Sequence, residues 1–272
     1  MGRMTAHIAI LPERALIAVE GPDWRAFLHN LLTHDLETLE AGRLRFCALL
    51  TPQGRLLHDL FVRAGESGAL LDVAASARDA LIRRLTMYRL RAKVTIEAVP
   101  GAAAAAWGEP PQGCGWTSDP RLPELGWRAL GYDGPATARE QDYNVHRLTL
   151  GVPDPARDGV ESDYPLELNF DLLDGVDFKK GCFIGQETTS RMKRRGTIKT
   201  RAVPVAFDGP PPPPGTEVLA GDLRAGEIRG GVEGRAIALL RLDRAASGPL
   251  TADGRPVRID APAWLASHLS RA

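Results

Sequence analysis

The segment Lys179 to Gly196, KKGCFIGQETTSRMKRRG, holds the densest set of side chains that could do chemistry. Cys182 lies between Gly181 and Gly185, so the backbone around the thiol can turn sharply and approach a ligand closely. Lys179 and Lys180 precede it, and a helix-forming run opens near Gln186 and ends at Gly196. A thiol beside cations and a helix N-terminus is expected to have a lowered pKa, which suits a nucleophile or a metal ligand. The plainer alternative is a small apolar residue buried in a core. Downstream, Arg191, Lys193, Arg194, Arg195, Lys199 and Arg201 form the densest basic cluster in the chain. Such a run serves as a solvated helix end or as a contact for an anionic partner.

The other reactive side chains are scattered. Cys47 sits inside an apolar strand and reads as core, and Cys114 falls in a Gly/Pro loop. Three separated cysteines make a poor disulfide framework, fit a reducing compartment, and are too few for a closed zinc site in one chain. The six histidines show no i, i+4 pair and no HExxH pattern, so histidine ligation of a metal is not expected, and His29 and His34 are expected to line a helix surface.

The composition sets bounds. With 272 residues, 44% of them hydrophobic, the chain can bury a sizeable core. Lys+Arg and Asp+Glu both number 34, so the net charge points to neither a nucleic-acid binder nor a membrane-surface protein. Aromatics amount to 6%, and none interleaves with the basic cluster, which counts against an RNA-binding module. The first residues do not read as a signal peptide and no apolar run reaches membrane-spanning length. A soluble, cytoplasmic protein is the expectation.

The elements that must position these groups can be read from periodicity. Arg14 to Glu20 is a strand, and Trp24, Phe27, Leu28, Leu31 and Leu32 form one apolar helix stripe after Gly21-Pro22-Asp23. Leu44 to Leu50 and Leu56 to Arg63 flank Thr51-Pro52-Gln53-Gly54 as a hairpin. Ala69 to Ala75 is a strand, a helix capped by Ser76 runs to about Leu90, and Lys93 to Val99 is a strand. Residues 101–134 read as strands and loops, Ala136 to Leu150 as a helix, and Gly151 to Pro165 as a loop. Five prolines, Pro210 to Pro214, interrupt the chain as an extended connector. The short β-like runs after them, Glu217–Ala220, Ala236–Leu242 and Val257–Ile259, with Ala202–Phe207, suggest a small antiparallel barrel or sandwich. The class is α+β, with the all-β part at the C-terminus.

The string Lys180-Gly181-Cys182-Phe183-Ile184-Gly185-Gln186-Glu187, followed by Ser190-Arg191 and Arg195-Gly196, resembles the signature of the YgfZ-type folate-binding proteins, relatives of the glycine-cleavage T-protein. Other stretches agree in order: FLHNLLTHDL from Phe27, ALLTPQGRLLHDL from Ala48, RLTLGVP from Arg147 and YPLELNFDLLDGVDF from Tyr164. The resemblance spans most of the chain and is thin over residues 100–135 and the last seventy.

The resemblance implies a T-protein-like three-lobed fold: two α+β lobes over residues 1–200 around a central cavity that holds a reduced folate such as tetrahydrofolate, and a C-terminal β-barrel over 201–272. It implies a role in maturing iron–sulfur proteins, tRNA-modifying enzymes among them. Cys182 is then the functional residue and a metal ligand, with Lys180, Gly181, Gly185, Gln186, Glu187 and Arg191 shaping its surroundings. Tyr143 falls where bacterial members place an aromatic against the pterin, and Arg14 falls where some have a tryptophan. Glu167 and Asn169, alternating with Leu168, would hydrogen-bond the pterin.

One well-placed thiolate suggests a [2Fe-2S] cluster shared with an A-type carrier protein, the folate being an accessory ligand, in a factor that is not itself an enzyme. The partners are then that carrier and the client enzymes, with no nucleic acid and no membrane. The alternative is a folate-dependent aminomethyl transferase using Glu167, Glu187 or Asp79 as base. The T-protein's catalytic Asp falls near Asp79 or Ala80, and its Asn near Val73.

Overall fold

The computed structural model describes residues 6–158, 163–196 and 198–269, so residues 159–162 of the expected loop from Gly151 to Pro165 lie outside the described residues. Contacts divide the chain into two units, Met1–Tyr143 with Leu173–Gln186, and Asn144–Leu172 with Glu187–Ala272. The first contains, in order, β1 (His7–Leu11), β2 (Arg14–Glu20), α1 (Trp24–Leu31), β3 (Leu44–Leu50), β4 (Leu56–Ala64), β5 (Gly68–Ala74), α2 (Arg78–Arg89), β6 (Thr95–Val99), β7 (Ala102–Trp107), β8 (Trp116–Ser118) and β9 (Trp127–Tyr132). Helix α3 (Glu140–Thr149) runs from the first unit into the second, as does α4 (Gln186–Arg194). Next come β10 (Thr200–Ala206), β11 (Glu217–Ala220), β12 (Leu223–Val232), β13 (Arg235–Arg241), α5 (Leu242–Ala245), β14 (Leu250–Ala252), β15 (Arg255–Ile259) and α6 (Ala263–Leu269).

The first unit holds an antiparallel five-stranded sheet ordered β3-β4-β5-β2-β6 and a four-stranded sheet ordered β1-β7-β9-β8. Side chains alternate across a strand, so the two faces of the five-stranded sheet differ. One face presents Cys47, Leu60, Val62, Leu71, Val73 and Ile17 to the helices. Against it α1 buries Trp24, Phe27, Leu28 and Leu31, the stripe read from the sequence. Each such side chain contributes roughly 1.5–3 kcal/mol by leaving water. The opposite face carries Phe46, Asp59, Phe61, Asp72 and Arg14, all at most 9% exposed. A face that mixes charges and aromatics at that depth must pair its charges internally.

Helix α2 begins at Arg78 after a 3-10 turn, Ala75–Ala77, and its N-terminal neighbour Ala77 makes no capping bond. The expected Ser76 cap is therefore replaced by a tighter turn. In the second unit a closed antiparallel barrel runs β10-β13-β12-β11-β14-β15, filled by Val203, Val205, Phe207, Val218, Ile228, Leu240 and Val257. The five prolines fall between β10 and β11, where their missing N–H groups cost no ladder bond. Among the described residues no helix is long and apolar enough to cross a membrane.

Candidate functional site

The loop bearing Cys182 is fastened at both ends. At its start, the Lys180 ammonium is buried and donates to the carbonyl oxygens of His29 and Leu32, the latter at 2.6 Å. These are among the last carbonyls of α1, which have no partner within the helix, so Lys180 caps α1 from 148 residues away. Burial pulls this ammonium down to about 8. Just upstream, Thr33 ties the same two segments: its Oγ1 donates to Gly175 O at 2.6 Å and its carbonyl accepts from Asp177 N at 3.0 Å.

At the loop's far end, Gly185 adopts φ +80°, and a Cβ there would lie 2.6 Å from Thr51 O and 2.8 Å from Gly54 Cα. Only glycine lets the loop pack on the Thr51–Gly54 turn. The Gln186 side chain reaches back to Gly181 O at 3.3 Å and closes the loop on itself. Cys182 lies between these anchors and is exposed, as is Gly181, where an added Cβ would meet nothing closer than His29 Nε2 at 4.0 Å. The segments from Phe27, from Ala48 and from Lys180, separate in sequence, thus meet here. Glu187 and Arg191 lie exposed on α4, in its first and last turns.

The histidines depart from the surface expectation. His29 is 8% and His34 6% exposed. His34 lies beyond the end of α1, with its Nε2 3.2 Å from Asp174 Oδ1. Cys47 is buried and Cys114 exposed, as their settings imply. Burial pushes the Cys47 thiol up to about 12.

Arg14 and Tyr143 belong to another cluster of the first unit. Arg14 Nε donates to Asp72 Oδ1 at 2.6 Å, its Nη1 to Asp59 Oδ2 at 2.9 Å and its Nη2 to Asp72 O at 2.9 Å. Arg128 Nε donates to Asp72 Oδ2 at 2.6 Å. Arg121 donates to both oxygens of Asp119, and its Nη2 also to the Tyr143 hydroxyl at 3.1 Å. The guanidinium carbons of Arg128, Arg121 and Arg14 stand 4.0, 4.8 and 5.8 Å from the centre of the Phe61 ring. Three arginines face three aspartates, so the cluster is neutral. Burial pushes the Asp72 carboxyl up, but the Arg128 and Arg14 guanidiniums outweigh it and hold the group below the usual carboxylate range. Sequence spacing does not link Arg14 or Arg128 to Asp59 and Asp72, because those pairs span 45 to 58 positions.

Glu167 and Asn169 lie in the second unit, where both serve local structure. Glu167 accepts the Tyr164 N–H at 3.2 Å. Asn169, fully buried with φ 62°, donates to Ala202 O at 2.7 Å and accepts from Arg201 Nη1 at 3.0 Å. Arg201 also pairs with Asp171 at 3.0 Å, so this member of the basic cluster is a buried strut. Nearby in sequence, Arg147 makes a two-pronged pair with Asp158 at 3.0 and 2.8 Å.

Over residues 199–267 the chain matches the family described as CAF17, C-terminal beta-barrel domain. Its fold resembles the crystal structure of glycine cleavage system aminomethyltransferase T from Bartonella henselae, with a TM-score of 0.74 at 18% identity, covering 96% of this chain and 87% of that one. The architecture is thus the expected α+β, T-protein-like fold with a C-terminal closed barrel. The iron-sulfur cluster assembly factor IBA57, mitochondrial, of Homo sapiens is 36% identical over 93% of this chain and 84% of its own length. The mouse protein of the same name is 33% identical over the same shares. These names correct the cytoplasmic expectation and point to a mitochondrial setting. At these identities and coverages, the chain belongs to the family of IBA57 iron–sulfur cluster assembly factors.

Proposed function

We propose that the chain serves iron–sulfur cluster assembly by presenting Cys182 as one thiolate ligand of a [2Fe-2S] cluster whose other ligands come from an A-type carrier protein. The observation that carries this reading is an exposed thiol on a loop locked at both ends, by Lys180 into α1 and by Gly185 onto the Thr51–Gly54 turn. One thiolate cannot hold a cluster alone, and a partner's cysteines complete the set. The cluster is cargo, and the rigid loop fixes where it is handed over. Exposed Arg191, Arg194 and Arg195 offer positive charge to an acidic partner face. The YgfZ-type signature around Cys182 supports the same reading, with clients that include tRNA-modifying enzymes.

A reduced folate such as tetrahydrofolate is an accessory ligand in this reading, and what supports it is the T-protein-like fold. Arg14 does not fit a folate contact as it stands, because its guanidinium is engaged with Asp72 and Asp59; the Tyr143 hydroxyl accepts from Arg121, a bond that does not use the ring face expected to meet a pterin. No chemical step is routed through it. The aminomethyl-transferase alternative is not favoured. Asp79 is exposed and bonded to Arg78 at 2.8 Å, which holds its carboxyl below the usual range and makes it a poor base. Glu187 is exposed on α4, and Glu167 accepts a backbone N–H.

The test is reconstitution without oxygen. Wild type or Cys182→Ser is mixed with an A-type carrier, iron and sulfide, and the visible absorption and mass of the product are measured. A cluster-bearing heterocomplex that disappears with Cys182→Ser supports the reading; equal behaviour of the two proteins refutes it.

A further inference from the structure

We propose that His29, Asp35 and Glu37 form a binding site for one divalent first-row transition-metal ion beside the Cys182 loop. A ring nitrogen of His29 and a carboxylate oxygen from each acid lie within 4.8 Å of one another. Ligand atoms around such an ion, each at about 2.0–2.2 Å, sit roughly 3–4 Å apart, so only a small movement closes the set. The exposed Glu37 can make it, since its carboxylate takes no hydrogen bond or ion pair among the described residues. One imidazole with two carboxylates is a mixed N/O set suited to ferrous iron, manganese, cobalt or zinc.

Two further observations point to a cation. The first is His29 itself. Its Nδ1 lies 3.2 Å from the Leu36 N–H and 3.1 Å from Asp35 Oδ1. One ring nitrogen cannot accept from the amide and donate to the carboxylate at once, so the protein's own bonds leave it contested. Its Nε2 makes no hydrogen bond among the described residues and stays open to solvent. The room at that edge is kept by Gly181, the residue before Cys182. The second is charge. Asp35 and Glu37 bring two carboxylates to one place beside His29, a charge that one divalent ion would neutralise.

Ion binding does not depend on the assembly role of Cys182; only the identification of the physiological ion as ferrous iron, delivered next to the thiol, rests on that reading. The experiment uses the full chain carrying Cys182→Ser, titrated anaerobically with cobalt(II) as a spectroscopic probe and then with iron(II). One equivalent should bind, and adding Glu37→Gln, at an exposed position that leaves the fold unchanged, should weaken binding at least tenfold, as should His29→Gln. Thermal unfolding checks that each variant is folded. The proposal is overturned if the Cys182→Ser protein binds no cobalt(II), or if Glu37→Gln binds it as tightly as its parent. Failure of cluster transfer in the reconstitution above, with cobalt(II) binding intact, would refute the thiolate reading and leave this site standing.

Discussion

The Lys180 ammonium lies 2.6 Å from the carbonyl oxygen of Leu32, the residue that follows the last turn of α1. A side chain next to the candidate cysteine therefore holds a helix end, and the positions of Cys182 and α1 are coupled. Lys180→Met keeps the apolar stem and removes the charge and both bonds. A charged hydrogen bond contributes about 1.5–3 kcal/mol, and the carbonyls left without a donor add to the loss. The expected outcome is a lower midpoint in thermal unfolding, together with faster amide exchange over residues 28–33 and 180–186.

The two glycines that flank Cys182 should respond differently. Gly185→Ala sets a Cβ 2.6 Å from Thr51 O at φ +80°, which forces the loop off the turn. Backbone strain and the clash together should cost about 2 kcal/mol or more. Gly181 has ordinary φ and open space around it, so Gly181→Ala should change stability by less than about 0.5 kcal/mol. Urea midpoints of the two variants check the contrast. Equal losses would mean that the Thr51–Gly54 turn does not fix the loop.

These contrasts also show what the sequence could and could not disclose. Local pattern was enough for α1, whose stripe of Trp24, Phe27, Leu28 and Leu31 all became buried, and for the hairpin turning at Pro52 and Gly54. The special character of the Cys182 segment was visible in its glycines and lysines. The use of Lys180 was not, since its partners lie 148 and 151 residues away and a lysine beside a cysteine reads as an activator of the thiol. Arg14 likewise reads as a ligand contact when its partners Asp59 and Asp72 are unknown. Strand β12 hid because Gly226, Gly230 and Gly231 weaken the β pattern. The barrel needs them: a Cβ on Gly226 would meet Leu239 O at 2.0 Å, and the register shifts between Ile228 and Gly231.

The buried Asp72 should make stability fall in acid. Its folded pKa is depressed below the unfolded value near 3.9, so its contribution is complete above that value and is lost as pH falls through the folded pKa. Urea midpoints measured from pH 6 down to pH 2 should drop mainly below pH 4. Asp72→Asn should flatten part of that drop. It also strands Arg14 and Arg128 in a buried site, so it should cost about 3–5 kcal/mol at neutral pH. An unchanged acid profile in the variant would show that other carboxylates dominate.

The three thiols should separate cleanly by reactivity. Cys182 and Cys114 are exposed and Cys47 is buried, so a neutral alkylating reagent should modify two thiols per native chain and three in denaturant. Cys182→Ser should reduce the native count to one. The alkaline limb carries the same information about Cys47. Its thiol is pushed up to about 12 by burial, while an unfolded cysteine ionises near 8.5. The neutral thiol therefore supports the fold fully below about pH 8.5, and that support is lost progressively as pH rises from there towards the folded value. Cys47→Ala removes the titrating group and should weaken this alkaline loss, at the cost of a small cavity under α1. Peptide mapping of the alkylated protein at pH 7 and pH 10 reads both effects. Early labelling of Cys47 at pH 7 would mean that α1 opens from the sheet far more readily than its burial implies.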